Sequence, residues 1–114
     1  LMLIPPEEDT IEEIKNLVEP IIRTYGYQKL YYDILRTGRK LWISVYITFE
    51  KDLVSLAKFK AIQSECIAAL AEEYPDFYFE LLPDIAFTGA EKAALEQKIL
   101  EEQMQEMQEG TREV

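Results

Sequence analysis

The chain carries a single thiol, Cys66, and no histidine. Without imidazole there is no Ser-His-Asp triad, no histidine metal ligand and no ordinary switch near neutral pH. A lone cysteine excludes an internal disulfide framework and suits a reducing compartment. Its spacing places Cys66 on an apolar helical stripe, where a thiol is an inert core group. A reactive thiolate needs an exposed, electropositive setting. The four glycines, Gly26, Gly38, Gly89 and Gly110, stand isolated, so no phosphate-cradling loop is present. Acids number 22, yet no two form an evident general acid with its base. Asp76, Glu80 and Asp84 are the set that could gather near one end of the last strand and hold a hard cation through oxygen. Glu7, Glu8 and Asp9 are a second acidic set, and solvated charge is the alternative for both. No nucleophile–base pair or metal constellation appears, which argues against an enzyme.

The aromatic residues are more informative than the acids. Two alternating runs joined by Thr37-Gly38-Arg39-Lys40 predict a β-hairpin. In the second run Leu41, Ile43, Val45, Ile47 and Phe49 point one way and Trp42, Ser44, Tyr46, Thr48 and Glu50 the other. The first run, about 28 to 36, opposes Leu30, Tyr32 and Ile34 to Tyr31, Asp33 and Leu35. A third run, Phe77 to Leu82, alternates Phe77, Phe79 and Leu81 with Tyr78, Glu80 and Leu82, and Pro83 ends it. If the apolar faces meet helices, the opposite face shows Tyr31, Trp42, Tyr46 and Tyr78, with Asp33, Ser44 and Glu80 among them. Exposed aromatics on a sheet can stack nucleic-acid bases. Here 12 basic residues against 22 acids leave a net charge of −10, which opposes any phosphate-rich partner. A protein surface is the better match for rings with polar tips. The competing arrangement is a face covered by the chain's own tail helix.

Helices must position these strands. Thr10 with Glu13 reads as a capping box, opening a helix of roughly 10 to 24 striped by Ile11, Ile14, Leu17, Val18, Ile21 and Ile22. Pro20 is expected to kink that helix or end it near Glu19, and Gly26 is a natural terminator. A second helix begins after Ser55, a cap candidate, and its stripe is Leu56, Phe59, Ile62, Cys66, Ala69 and Leu70. Tyr74-Pro75-Asp76 stops it. The order α-β-β-α-β predicts an α+β sheet layer with both helices on one side. A further capping box, Thr88 with Glu91, precedes an acidic helix and tail over 88–114. Ala93, Leu100 and Met107 stand a heptad apart there with Met104 beside them, but Glu96 and Gln97 break the seam, so a solvated helix is expected rather than a coiled coil.

At 114 residues the chain suits one compact domain, and 48% apolar with 30% charged residues is an ordinary globular balance. No run approaches the ~20 apolar residues of a membrane span. Leu1-Met2-Leu3-Ile4 is too short for a signal-peptide core. The stiff Pro5-Pro6 pair and the first residue, Leu1, suggest a domain cut from a longer protein. The expected division is a linker over 1–9, an αββαβ domain over 10–87, and the acidic tail over 88–114.

This order resembles the cytoplasmic C-terminal domain of the cation diffusion facilitator transporters, the cation efflux family. The resemblance covers roughly Leu3 to Asp84. It is carried by the strand Leu41-Trp42-Ile43-Ser44-Val45-Tyr46-Ile47, by Leu53-Val54-Ser55-Leu56-Ala57-Lys58-Phe59-Lys60-Ala61-Ile62, and by Phe79-Glu80-Leu81-Leu82-Pro83. It implies an open ferredoxin-like, metallochaperone-like fold with an additional C-terminal helix. It further implies a homodimer at the cytoplasmic face of the cell membrane, attached to its own transmembrane domain and regulating export of zinc, iron or manganese. Many such domains carry histidine ligands at positions that fall here on Tyr46, Lys60 and Glu80. Tyr and Lys are poor Zn²⁺ ligands, and one carboxylate does not make a tetrahedral site. The resemblance therefore implies no resident cofactor in this domain, and a Lys60–Glu80 ion pair is a natural substitute for a metal bridge. The alternative is a free-standing ferredoxin-like module that binds a protein or a small ligand.

Overall fold

The computed structural model describes residues 2–85 and 89–112, with side chains for 2–85 and 95–108. Six elements follow in order: α1 (Glu8–Tyr25), β1 (Lys29–Thr37), β2 (Lys40–Thr48), α2 (Leu56–Glu73), β3 (Phe77–Pro83) and α3 (Gly89–Arg112). Chain proximity divides them into two units, Leu1–Pro83 and Asp84–Val114. The first unit is an α+β layer of αββαβ order. Its sheet runs β1-β2-β3, antiparallel between β1 and β2 and parallel between β2 and β3. The parallel pair requires a crossover, and α2 supplies it.

The hairpin forms because its period is two. Leu41, Ile43, Val45 and Ile47 are all buried, as are Ile34 on β1 and Phe79 and Leu81 on β3. These β-branched and aromatic side chains suit a half-buried pleated face. At the turn Gly38 takes φ 59°, a left-handed conformation that glycine adopts without a Cβ clash. Against the apolar face lie Ile14, Val18 and Ile22 of α1 and Ile62, Cys66 and Leu70 of α2, all in one cluster with the strands. Both helices therefore cover one side of the sheet. Full burial of each such aliphatic side chain contributes about 1.5–3 kcal/mol.

Several local expectations need correction. Helix α1 begins at Glu8, and Glu7 is its N-cap without any side-chain cap bond. Thr10 and Glu13 thus lie inside the helix and form no capping box. The backbone explains the earlier start: the Ile11 N–H donates to the Glu7 carbonyl at 3.1 Å, with Glu8 and Asp9 complementing the helix dipole. Pro20 does not end α1, which runs five residues further to the Gly26 cap. Burial of Ile22 and packing of Ile21 and Tyr25 against the core hold this last segment. Leu56 does not belong to the buried stripe, being 77% exposed. It opens α2 one turn ahead of the positions that reach the core. Ser55 does cap α2, its hydroxyl accepting from the Lys58 N–H at 3.1 Å.

The first residues behave as part of this unit. Ile4 exchanges two backbone hydrogen bonds with Arg36, at 3.0 and 2.7 Å, and Pro6 is buried. Residues expected as a linker therefore extend the edge of β1. The Thr88–Glu91 capping box lies outside the described residues. In α3, Ile99, Leu100, Met104 and Met107 are exposed. No described helix is long and apolar enough to cross a membrane.

Candidate functional site

Strand register converts the face opposite the helices into rows. Leu35, Trp42 and Tyr78 stand side by side, then Asp33, Ser44 and Glu80, then Tyr31, Tyr46 and Leu82. Thr37 and Lys40 close one end, and Lys29 and Thr48 the other. Successive rows lie about 6.6 Å apart along the strands, and neighbours within a row about 4.8 Å apart. Read along β2, the face runs Lys40, Trp42, Ser44 and Tyr46, with Asp33 and Glu80 flanking Ser44 on the neighbouring strands.

The rings pair across strands. Trp42 and Tyr78 have centroids 5.8 Å apart at 45°, and Tyr31 and Tyr46 5.9 Å apart at 53°. Such tilted pairs add about 0.5–1.5 kcal/mol beyond area burial. Their outer surfaces stay in solvent: Tyr31 is 40%, Trp42 37% and Tyr78 47% exposed. The Trp42 indole N–H donates to Thr37 Oγ1 at 3.0 Å, and Lys40 Nζ sits 4.5 Å above the Trp42 ring. This cation–π contact holds Lys40 on the open face.

Between the aromatic rows the acid row is also organised. The Ser44 hydroxyl donates to Glu80 Oε1 at 2.9 Å, and the Tyr78 hydroxyl donates to Glu80 Oε2 at 3.3 Å. Both carboxylate oxygens are thus oriented, and exposed Asp33 stands in the same row on the far side of Ser44. The arrangement suits recognition of a cation flanked by apolar groups.

The structure disperses the metal-ligand candidates. Seven residues of extended β3 separate Asp76 from Asp84, and at about 3.3 Å per residue that places them on the order of 26 Å apart. Asp76, Glu80 and Asp84 therefore do not gather at one strand end, because a strand spreads its residues instead of collecting them. Among the described residues no group of three or more Asp, Glu or Cys side chains is arranged to hold a metal ion. Of Tyr46, Lys60 and Glu80, two lie on the open face, in adjacent rows. Lys60 is an exposed residue of α2, the helix packed on the other side. The expected Lys60–Glu80 pair is replaced by the bonds from Ser44 and Tyr78.

Cys66 is fully buried, and burial pushes its thiol up to about 12, with the Glu65 carboxylate adding to the shift. It is therefore inert near neutral pH. A shallow groove of about 580 Å³ runs along β3 and α2, lined by Gln63, Ile67 and Phe77 to Leu82, without convergent charge. Sequence reasoning placed Tyr31, Trp42, Tyr46 and Tyr78 on the open face and missed Lys40, assigned only to the turn. Hairpin register, with Lys40 opposite Thr37, is the signal that finds it.

No family model matches the chain. No curated protein matches it either. Among solved structures, a MamM-CTD carrying two alanine substitutions, one of an aspartate and one of a histidine, aligns with a TM-score of 0.46 at 14% identity. That alignment covers 70% of this chain and 99% of the other.

Proposed function

We propose that this chain is the cytoplasmic regulatory and dimerisation domain of a divalent metal cation efflux transporter of the cation diffusion facilitator type. The observation that carries the reading is the open sheet face. An αββαβ unit with both helices on one side leaves two aromatic pairs in solvent around an oriented carboxylate. Rings that stay half in water on a rigid sheet are suited to burial against protein. The strand, helix and exit segments that resemble this family lie in the same unit. On this reading the partners are a second copy and the chain's own transmembrane domain, and the transported ion is zinc, iron or manganese.

Tyr46, Lys60 and Glu80 stand where many family members carry histidine. Regulation here therefore runs through dimer geometry and not through a resident metal bridge. The role is one of binding and not of catalysis, since Cys66 is the single thiol, lies buried and has no imidazole to activate it. The test is the reading frame upstream of Leu1. About six hydrophobic spans in frame support the proposal. A start codon at or just before Met2 overturns it and leaves a free-standing ferredoxin-like module whose open face binds another protein.

A further inference from the structure

One edge of the sheet is covered and the other is open. Along the outer edge of β1, Ile4 exchanges two backbone hydrogen bonds with Arg36. Among the described residues the outer edge of β3 has no such cover, since the bridge at Ile4 is the only one outside the named strands. Sheet edges are ordinarily blunted by lysine, an interior proline, a bulge or a covering segment. β3 carries no lysine, and its single proline, Pro83, stands at the strand's end. The β2–β3 ladder decides which groups are left over. The Leu41 N–H donates to the Asp76 carbonyl at 3.2 Å, while Leu41 stands in register with Phe77. In a parallel ladder that bond commits the even-numbered residues of β3 to β2. The N–H and C=O groups of Phe77, Phe79 and Leu81 therefore point away from the sheet. Beside them runs the groove of about 580 Å³ along β3 and α2, with Gln63 and Ile67 on its helix wall.

We propose that this edge receives an extended segment of another protein, added antiparallel to β3, with apolar residues toward Ile67 and a lysine or arginine opposite Glu80. Backbone pairing supplies the attachment in this mode of recognition, and alternate side chains supply the choice. Charge selects the occupant. Glu80 shares its row with Asp33 and Ser44, two carboxylates without a cation. Lys60, on the helix side, does not compensate Glu80, which is bonded by Ser44 and Tyr78 instead. Asp76, just before β3, is different: it lies level with Lys40, one position before the Leu41–Phe77 pair. Glu80 is thus the charge left for a partner. In antiparallel pairing the outward groups of Phe79 and Leu81 form hydrogen-bonded pairs, and Glu80 falls between them. Such a position faces its neighbour across only about 4.5 Å between Cα atoms, where side chains meet most closely. A second copy's β3 does not suit it, because Phe77–Pro83 contains no lysine or arginine. This docking does not depend on the transporter reading.

The test uses the full chain labelled with ¹⁵N and the synthetic peptide Val-Thr-Val-Lys-Val-Thr-Val, with amide exchange read by NMR. In the free chain the Tyr78, Glu80 and Leu82 amides should exchange slowly and those of Phe77, Phe79 and Leu81 fast. Peptide at millimolar concentration should slow the second set selectively. The same peptide with glutamate in place of lysine should bind roughly tenfold more weakly, because an opposite-charge pair becomes a like-charge one. A lysine peptide N-methylated at its valines should not bind. Glu80→Lys should reverse the preference between the two peptides. Glu80→Gln, the milder change, should erase it, and decides the matter if Glu80→Lys does not fold. Absence of protection by either peptide overturns the docking edge. Equal protection by both overturns the charge pairing. Protection of Phe79 and Leu81 that appears as the free chain is concentrated overturns the choice of occupant in favour of a second copy.

Discussion

Replacing Pro20 by alanine should stabilise the domain, and the size of the gain follows from α1. Pro20 sits inside an α-helix that continues to Tyr25, so position 20 donates no hydrogen bond to the Asn16 carbonyl and its ring crowds that turn. An interior proline costs about 3 kcal/mol relative to alanine. Ile22 is fully buried beyond it, and Ile21 and Tyr25 pack on the core. Burial of Ile22 contributes about 1.5–3 kcal/mol, and its two neighbours add to that, enough to keep the helix intact past the proline. Pro20→Ala restores the missing bond. Against this, the freer unfolded chain offsets about 0.4–1 kcal/mol. The net expectation is a stabilisation of about 2 kcal/mol, which in a domain of this size raises Tm by roughly 10 °C. Urea unfolding followed by circular dichroism should show a higher midpoint with an unchanged slope. An unchanged or lower midpoint would refute the claim that tertiary burial holds the last turn of α1 against a local penalty.

Alkali should weaken the fold well before it damages the chain. Burial raises the Cys66 thiol to about 12 and the Tyr74 phenol to about 12, so the folded state holds protons that the unfolded chain has released. Their contributions are complete below pH ~8.5 for Cys66 and ~10 for Tyr74, and are lost as pH rises toward 12, at up to ~1.4 kcal/mol per pH unit for each group. Urea midpoints between pH 8 and 11 should fall, and more gently in Tyr74→Phe; a flat profile would count against burial of both groups. Removing residues 89–114 should leave the main unfolding transition nearly in place, because among the described residues the core cluster lies within Leu1–Pro83; a loss of several kcal/mol would show that α3 completes that core. Calorimetric titration with Zn²⁺, Mn²⁺ and Ca²⁺ at physiological salt should show only weak binding that salt screens, since the acids are dispersed. Submicromolar stoichiometric binding would mean that carboxylates of two subunits converge.

What could be read from the residues is what a short period controls. Alternation of Leu41, Ile43, Val45 and Ile47 with Trp42, Ser44 and Tyr46 assigns both sheet faces, because slipping by one residue would expose the whole apolar set. Gly38 and Gly26, both at positive φ, marked a turn and a helix end for the same steric reason. Features that depend on distant partners were not legible. Pro20 reads locally as a kink or a stop, and the core beneath Ile22 carries the helix past it. Thr10 reads as a cap, but docking of Ile4 on Arg36 and burial of Pro6 bring the chain in a turn earlier. Spacing in sequence suggested that Asp76, Glu80 and Asp84 could meet, whereas extended geometry keeps them apart. Lys40 became a face residue only when pairing with Thr37 set its direction.

If two copies of this chain meet through the open sheet face, the chain carries its own reporter of the contact. Its single tryptophan, Trp42, lies at the middle of the proposed contact and is 37% exposed in the single subunit. Acrylamide quenching of Trp42 fluorescence should be measured across a dilution series whose mass is followed by light scattering. Quenching should rise on dilution, with the same midpoint as the fall from about twice 13.3 kDa to the single-chain mass. A dimer that dissociates with no change in Trp42 quenching, or a chain that never associates, would contradict it.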